Sequence, residues 1–348
     1  MARGALHLPV MVDRVVELLA VPEAGPEQPV LLVDATVGVG GHAAALLAAS
    51  GEGLHLVGFD RDPEALALAR RRLAAYGGRV TLVHAAYDRL VEHVSAFLER
   101  VGPLLAVLYD LGMSSLQLDR AGRGFSFRAD GPLDMRMDPT GGTTAADLVN
   151  DTDADELTGI IAAYGEERHA RRIAAAIVRA RPVARTVQLA DVVAAALPPG
   201  ERRRRTARGI HPATRTFQAL RIAVNGELDL FSASLPQALE LAAPARPGQA
   251  AVAAGSGRGG RIAVLSYHSL EDRIAKRFLS DAAAGCICPP DLPVCGCGRV
   301  PLVRPLTRGA ERPVDAEVAS NPRARSARLR AVEKIAPSPR VEHPSQET

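Results

Sequence analysis

Asp34, Asp60 and Asp110 each close an apolar run of strand length: Leu31 to Val33, Leu54 to Phe59 and Leu104 to Tyr109. In an open parallel sheet such acids stand at the carboxyl edge, over the crevice where ligands bind. Four residues after Asp34 the chain breaks into Gly38, Gly40 and Gly41. A turn so poor in Cβ atoms lets backbone N–H groups approach a ligand, and the small residues from His42 to Ala49 read as a helix packed close on the sheet. Asp60 lies 22 residues past Gly38, the spacing at which a second-strand carboxylate takes the ribose hydroxyls of a nucleoside. Asp62 and Pro63 follow as N-cap and first residue of the next helix.

Two ligand classes satisfy this pattern. Gly38-Val-Gly40-Gly-His-Ala43 meets the loose dinucleotide fingerprint, whose last position accepts alanine. Asp34 argues the other way, because a pyrophosphate disfavours a carboxylate beside it whereas a cationic sulfonium with an amino-acid tail uses one. The two acids and the loop favour S-adenosylmethionine over a nicotinamide cofactor and leave both open.

The remainder of the chain carries longer motifs: DLGMSSLQ from Asp110 to Gln117, RGFSFR from Arg123, GPLDMRMDP from Gly131, YGEE from Tyr164, HPATRTFQALRIAVNGEL from His211, SYHSLEDRIAKRF from Ser266 and NPRARSARLR from Asn321. With DATVGVGGH and FDRDPEAL, in the same order from His7 to about Lys334, they closely resemble the ribosomal RNA small subunit methyltransferase H family. That resemblance implies an α/β fold, a Rossmann-like class I methyltransferase sheet with an inserted all-helical domain. It implies S-adenosyl-L-methionine as cofactor and N4 of a cytidine in 16S rRNA of the small ribosomal subunit as target. The positions matching the family's cofactor-binding residues are Gly40, Gly41, His42, Asp60, Tyr87, Asp110 and Gln117. Val37 and Val39 stand where the family commonly has Phe and Arg, and Tyr87 where Phe is usual; a tyrosine still offers adenine a ring.

The target atom dictates what a catalytic group must do. An exocyclic cytosine amine is a poor nucleophile because its lone pair is delocalised into the ring, so its N–H groups need acceptors that hold nitrogen in line with the methyl donor. Asp110 is the expected acceptor, with a contact to the methionine end of the cofactor as its competing role. Ser266 and His268, just past a late strand, project over the same edge; His268 is a second catalytic candidate against a purely structural role. Methylation at C5 is disfavoured, since that chemistry needs a cysteine to add to C6 and all four cysteines lie far along the chain, at Cys286, Cys288, Cys295 and Cys297. The reaction calls for no metal. The cysteines, spaced CxC, six residues, CxC, leave open a structural zinc, strained by the short spacing, or a reduced or redox-labile cluster.

These residues need a scaffold. With 348 residues, 47% hydrophobic, the chain supports a large domain and a smaller one. Strands and helices alternate from about Leu31 to Ser115; from Leu118 to Thr216 alanine-rich helices replace the strands, among them Asp153 to Tyr164, His169 to Arg181 and Val187 to Leu197. A helix from Phe217 to Leu230, a strand from Arg261 to Ser266 and a helix from Leu270 to Ser280 then resume the sheet. The expected organisation is a methyltransferase domain at 1–117 and 217–335, an inserted helical domain at 118–216 and a flexible tail at 336–348. Ala243 to Gly260, rich in Ala, Gly and Pro, reads as a mobile surface loop.

The net charge of +3 conceals two basic zones, with thirteen arginines against four acids from Glu166 to Val224 and eight against three from Arg299 to Arg330. Clustered arginines fit a phosphate backbone, and the alternative for any one of them is a solvated helix face. No segment has the length of a membrane span and the N-terminus lacks a signal-like pattern. A soluble cytoplasmic protein is expected, as an enzyme or as an RNA-binding assembly factor that kept the fold, either monomeric or as a homodimer.

Overall fold

The computed structural model describes residues 9–245, 257–286, 288, 294 and 296–335, apart from the side chain of Ser115. Residues 246–256 of the expected surface loop and the whole tail 336–348 lie outside the described residues. The chain divides into two compact units, one of residues 1–60, 68–111 and 233–348, the other of 61–67 and 112–232.

The first unit is built on a seven-stranded sheet: β1 (Val30–Asp34), β2 (Leu54–Asp60), β3 (Val80–His84), β4 (Leu104–Asp110), β5 (Arg261–Ser266), β6 (Val303–Pro305) and β7 (Arg328–Lys334). Their order is β3-β2-β1-β4-β5-β7-β6. The first five run parallel, while β7 is antiparallel to both β5 and β6. This is a doubly wound, Rossmann-like sheet with one antiparallel strand near its edge. All five residues of β1 and the first six of β4 are buried; both faces of these central strands are covered, so the sequence shows apolar runs instead of alternation. Strand order reverses between β1 and β4, and Asp34, Asp60 and Asp110 are the last residues of β1, β2 and β4, at the edge where such sheets bind ligands.

Sequence reading names no strand at β3, β6 or β7. β6 spans three residues, too few for a periodic signal. β7 reads as a basic motif, yet Arg328 and Arg330 both donate at 2.7 Å to Asp272 on the helix Ser269–Ala283. Burial pushes the Asp272 carboxyl up, but the two guanidinium groups hold it below the ordinary aspartate value. Part of the C-terminal basic zone is thus spent inside the fold.

The second unit is helical, with Ala145–Asp151, Ala154–Gly165, Ala170–Arg179, Thr186–Ala196, Pro199–Ala207 and Thr214–Asn225. Its core gathers Leu157, Ile161, Ile173, Ile177, Leu189, Val193 and Leu220. The sequence-expected boundary at 216 falls inside Thr214–Asn225, a helix packed on Ala154–Gly165. The single helix expected from Phe217 to Leu230 is two, because Gly226 adopts φ 58° and caps the first before Glu227–Leu241 begins. Among the described residues no helix is long and apolar enough to cross a membrane.

The arginine run Arg202 to Arg205 lies on the helix Pro199–Ala207 and is not uniformly exposed. Arg205 is buried and paired with Glu167 at 2.7 Å and Glu201 at 2.8 Å, and Arg204 also pairs with Glu201. Arg202, Arg203 and Arg208 are exposed.

Candidate active site

β1 ends at Asp34, and the chain turns at once into the glycine segment. The Thr36 N–H donates to Asp34 Oδ1 at 3.1 Å, and the Thr36 hydroxyl accepts the Asp110 N–H at 2.6 Å. Neighbouring strands are thereby tied at the point where strand order reverses. Gly38 and Gly40 have φ of 52° and 78°, the left-handed region that favours glycine. Gly40 caps the helix Gly41–Ala49, and a Cβ on Gly41 would lie 2.8 Å from Pro9 Cγ. Asp60 Oδ2 accepts the Gly38 N–H at 2.9 Å, so the carboxylate expected to take ribose hydroxyls also braces the turn.

Asp110 is held from two sides. Its Oδ1 accepts the Tyr267 hydroxyl at 2.6 Å, and its Oδ2 lies 3.2 Å from His42 Nδ1. The other ring nitrogen, His42 Nε2, faces the Val10 carbonyl at 2.9 Å. A protonated ring donates to both partners at once. Burial pulls the His42 imidazolium down, but the Asp110 charge and hydrogen bond outweigh it and raise the ring above its ordinary value. Burial, with the facing Asp110 charge, pushes the Tyr267 phenol well above its ordinary value, so it acts as a donor. Asp34, 1% exposed, is pushed by burial up to about 7 despite the neighbouring His42 charge and the Thr36 N–H. His42 is thus held between the Asp110 carboxylate and the Val10 carbonyl, with the Asp34 charge also felt at its ring.

Gly40, Gly41, His42, Asp60 and Asp110 thus form one constellation. Tyr87 starts a short helical turn after β3, half-buried, its ring edge-on to Tyr109 at 5.7 Å between centroids. His268 is the N-cap of Ser269–Ala283, its Nε2 at 3.2 Å from Glu271 Oε1. Ser266 is buried at the end of β5, 3.4 Å from the Arg328 carbonyl. Gln117 belongs to the helical unit, where its amide donates to Asp62 Oδ2 at 3.3 Å and its Oε1 accepts the Ser114 N–H at 3.1 Å. Asp62, fully buried, also accepts Arg123 at 2.7 Å.

Sequence reasoning passes over Tyr267 and Thr36. Tyr267 stands between Ser266 and His268, both of them candidates; residue type marks the histidine, while only the course of β5 beside β4 aims the phenol at Asp110. The described cysteines lie outside this cluster. Cys286, Cys288 and Cys297 come together, and Cys295 lies outside the described residues.

The MraW methylase family matches residues 4–335. A ribosomal RNA small subunit methyltransferase H of Thermobifida fusca is 52% identical over 335 residues, 94% of this chain and 93% of its own length. The protein of that name from Frankia casuarinae is 51% identical over 95% of this chain and 97% of its own, and that from Heliobacterium modesticaldum 47% over 94% and 98%.

Proposed function

The chain belongs to the MraW methylase family, and from that premise we propose that it transfers a methyl group from S-adenosylmethionine to N4 of a cytidine in the 16S rRNA of the small ribosomal subunit. The observation that carries this reading is the Asp110 carboxylate, clamped by His42 and Tyr267 at the end of β4 beside the glycine turn. S-adenosylmethionine is the expected cofactor, and the residues present fit it. A Cβ-poor turn suits close backbone approach, Asp60 at the end of β2 suits ribose hydroxyls, and Tyr87 offers a ring to adenine. In this reading Gly40, Gly41, His42, Asp60, Tyr87, Asp110 and Gln117 bind the cofactor. When bound, it supplies an electrophilic methyl group on a sulfonium.

The protein's own task is to orient the amine. Each Asp110 oxygen already has one donor and keeps capacity for a second, so the carboxylate can accept an N–H of the target base without releasing His42 or Tyr267. Fixing that hydrogen bond aligns the nitrogen lone pair, and positioning of this kind supplies several kcal/mol of barrier reduction, on the order of a hundredfold or more in rate. His268, which begins the helix after β5, is the second candidate, its ring oriented by Glu271. On the helical domain proposed at 118–216 the exposed Arg202, Arg203 and Arg208 supply charge for RNA phosphates, and the target base is swung out of its stack to reach Asp110. The place of action is the cytoplasm, where small subunits are made.

The test is methyl transfer from labelled S-adenosylmethionine to small subunits lacking the modification, followed by nucleoside analysis. Label in N4-methylcytidine is expected. Label on a ring carbon or on another base would overturn the assignment, and subunit binding without transfer would make the chain an assembly factor.

A further inference from the structure

The sulfur atoms of Cys286, Cys288 and Cys297 lie within 4.8 Å of one another, with Cys286 and Cys297 at 3.8 Å. A tetrahedral ion with metal–sulfur bonds of about 2.3 Å sets its thiolates about 3.8 Å apart, so the three sulfurs already approach one face of such a tetrahedron. The Cys288 N–H points at Cys286 Sγ at 3.4 Å, the kind of second contact that orients a thiolate and offsets its charge. The described residues between the helix Ser269–Ala283 and β6 belong to no helix or strand. Arg299 supplies one tie, bonding Asp281 Oδ1 at 2.7 Å on that helix.

We propose that Cys286, Cys288 and Cys297 bind one zinc ion that staples this connection. Each thiol gives up its proton on binding, and the ion neutralises the three thiolates so formed. Zinc suits the site better than an iron–sulfur cluster, because a cluster spreads its thiolates over more than one iron and so farther apart. Zinc also brings no redox change and accepts a fourth, non-cysteine ligand or a water. Holding Cys286 and Cys288 to Cys297 ties together residues nine and eleven apart in the chain.

The experiment is elemental analysis of full-length protein, purified without a histidine tag, both as isolated and after incubation with zinc and removal of excess. About one zinc per chain is expected, absent from Cys286→Ser/Cys297→Ser. Because that variant can lose its fold, wild-type protein is also titrated with a thiol reagent: Cys286, Cys288 and Cys297 should react slowly until a chelator strips the ion. Replacement by Co2+ should give thiolate-to-cobalt charge-transfer absorption. Cofactor affinity of the double variant should match wild type, which separates this site from the reading of Asp110. Protein that holds no zinc even after incubation and whose four thiols react at once overturns the proposal; so does zinc retained by the double variant, or iron found in its place.

Discussion

Tyr267→Phe removes one oxygen and keeps the ring, so it tests whether the phenol does more than fill space. Its hydrogen bond to Asp110 Oδ1 is 2.6 Å long and made to a carboxylate, a class of bond that contributes about 1.5 to 3 kcal/mol. Asp110 would keep His42 at 3.2 Å but lose the bond that sets the tilt of its carboxylate. If that tilt aligns the target amine, single-turnover methyl transfer should fall about tenfold to a hundredfold, the same free energy expressed as rate. Thermal stability should fall by no more than this, because Asp110 is a quarter exposed and water can replace the phenol. The assay is transfer of label to small subunits under saturating enzyme, with calorimetry of cofactor binding beside it. A double-mutant cycle completes it: in an Asp110→Ala background the Tyr267→Phe change should do almost nothing further, since its partner is gone. A rate within twofold of wild type, or a full additional loss in that background, would refute the positioning role.

Asp60→Ala should weaken S-adenosylmethionine binding by about 1 to 3 kcal/mol in calorimetry, through loss of a charged acceptor and of the brace on Gly38; unchanged affinity would remove Asp60 from the site. Burial lifts Asp34 from 3.8 to about 7, so the folded protein keeps a proton that the unfolded chain has lost. Stability in urea should therefore fall as pH rises from about 4 to about 7, by at most about 4 kcal/mol. His42, raised by Asp110, adds stability below its ordinary 6.5 that is lost as pH climbs past its folded value. Asp34→Asn should flatten the lower part of this profile, and a flat wild-type profile would show the cluster to be wetter than its burial implies. Replacing Arg202, Arg203 and Arg208 with glutamine should weaken subunit binding and reduce its salt slope by roughly 0.7 to 0.9 log unit for each phosphate no longer neutralised, with cofactor affinity unchanged. Arg205→Gln should instead destabilise the helical unit by about 3 kcal/mol or more, seen by melting, because it strands buried Glu167.

Sequence alone determined the parts whose signal is local. β1, β2, β4 and β5 were legible because buried parallel strands read as apolar runs, and the acid closing each of the first three marked the ligand edge. Gly38 and Gly40 announced a turn, which the structure makes left-handed, and Asp62-Pro63 the start of Pro63–Arg72. Tertiary structure decided what depends on partners distant in the chain. β7 carries charges because Asp272 answers them, 56 and 58 residues away, and no local period records that pairing. Arg205 looks like its neighbours in the run and differs only because Glu167 waits beneath it. Tyr267 bonds a carboxylate 157 residues earlier because β5 lies beside β4. Residue type and spacing thus identified which groups stood at the edge. Which of them are exposed to a ligand, and which spend their charge holding one another, follows from burial and strand adjacency, which exist only once the chain has folded.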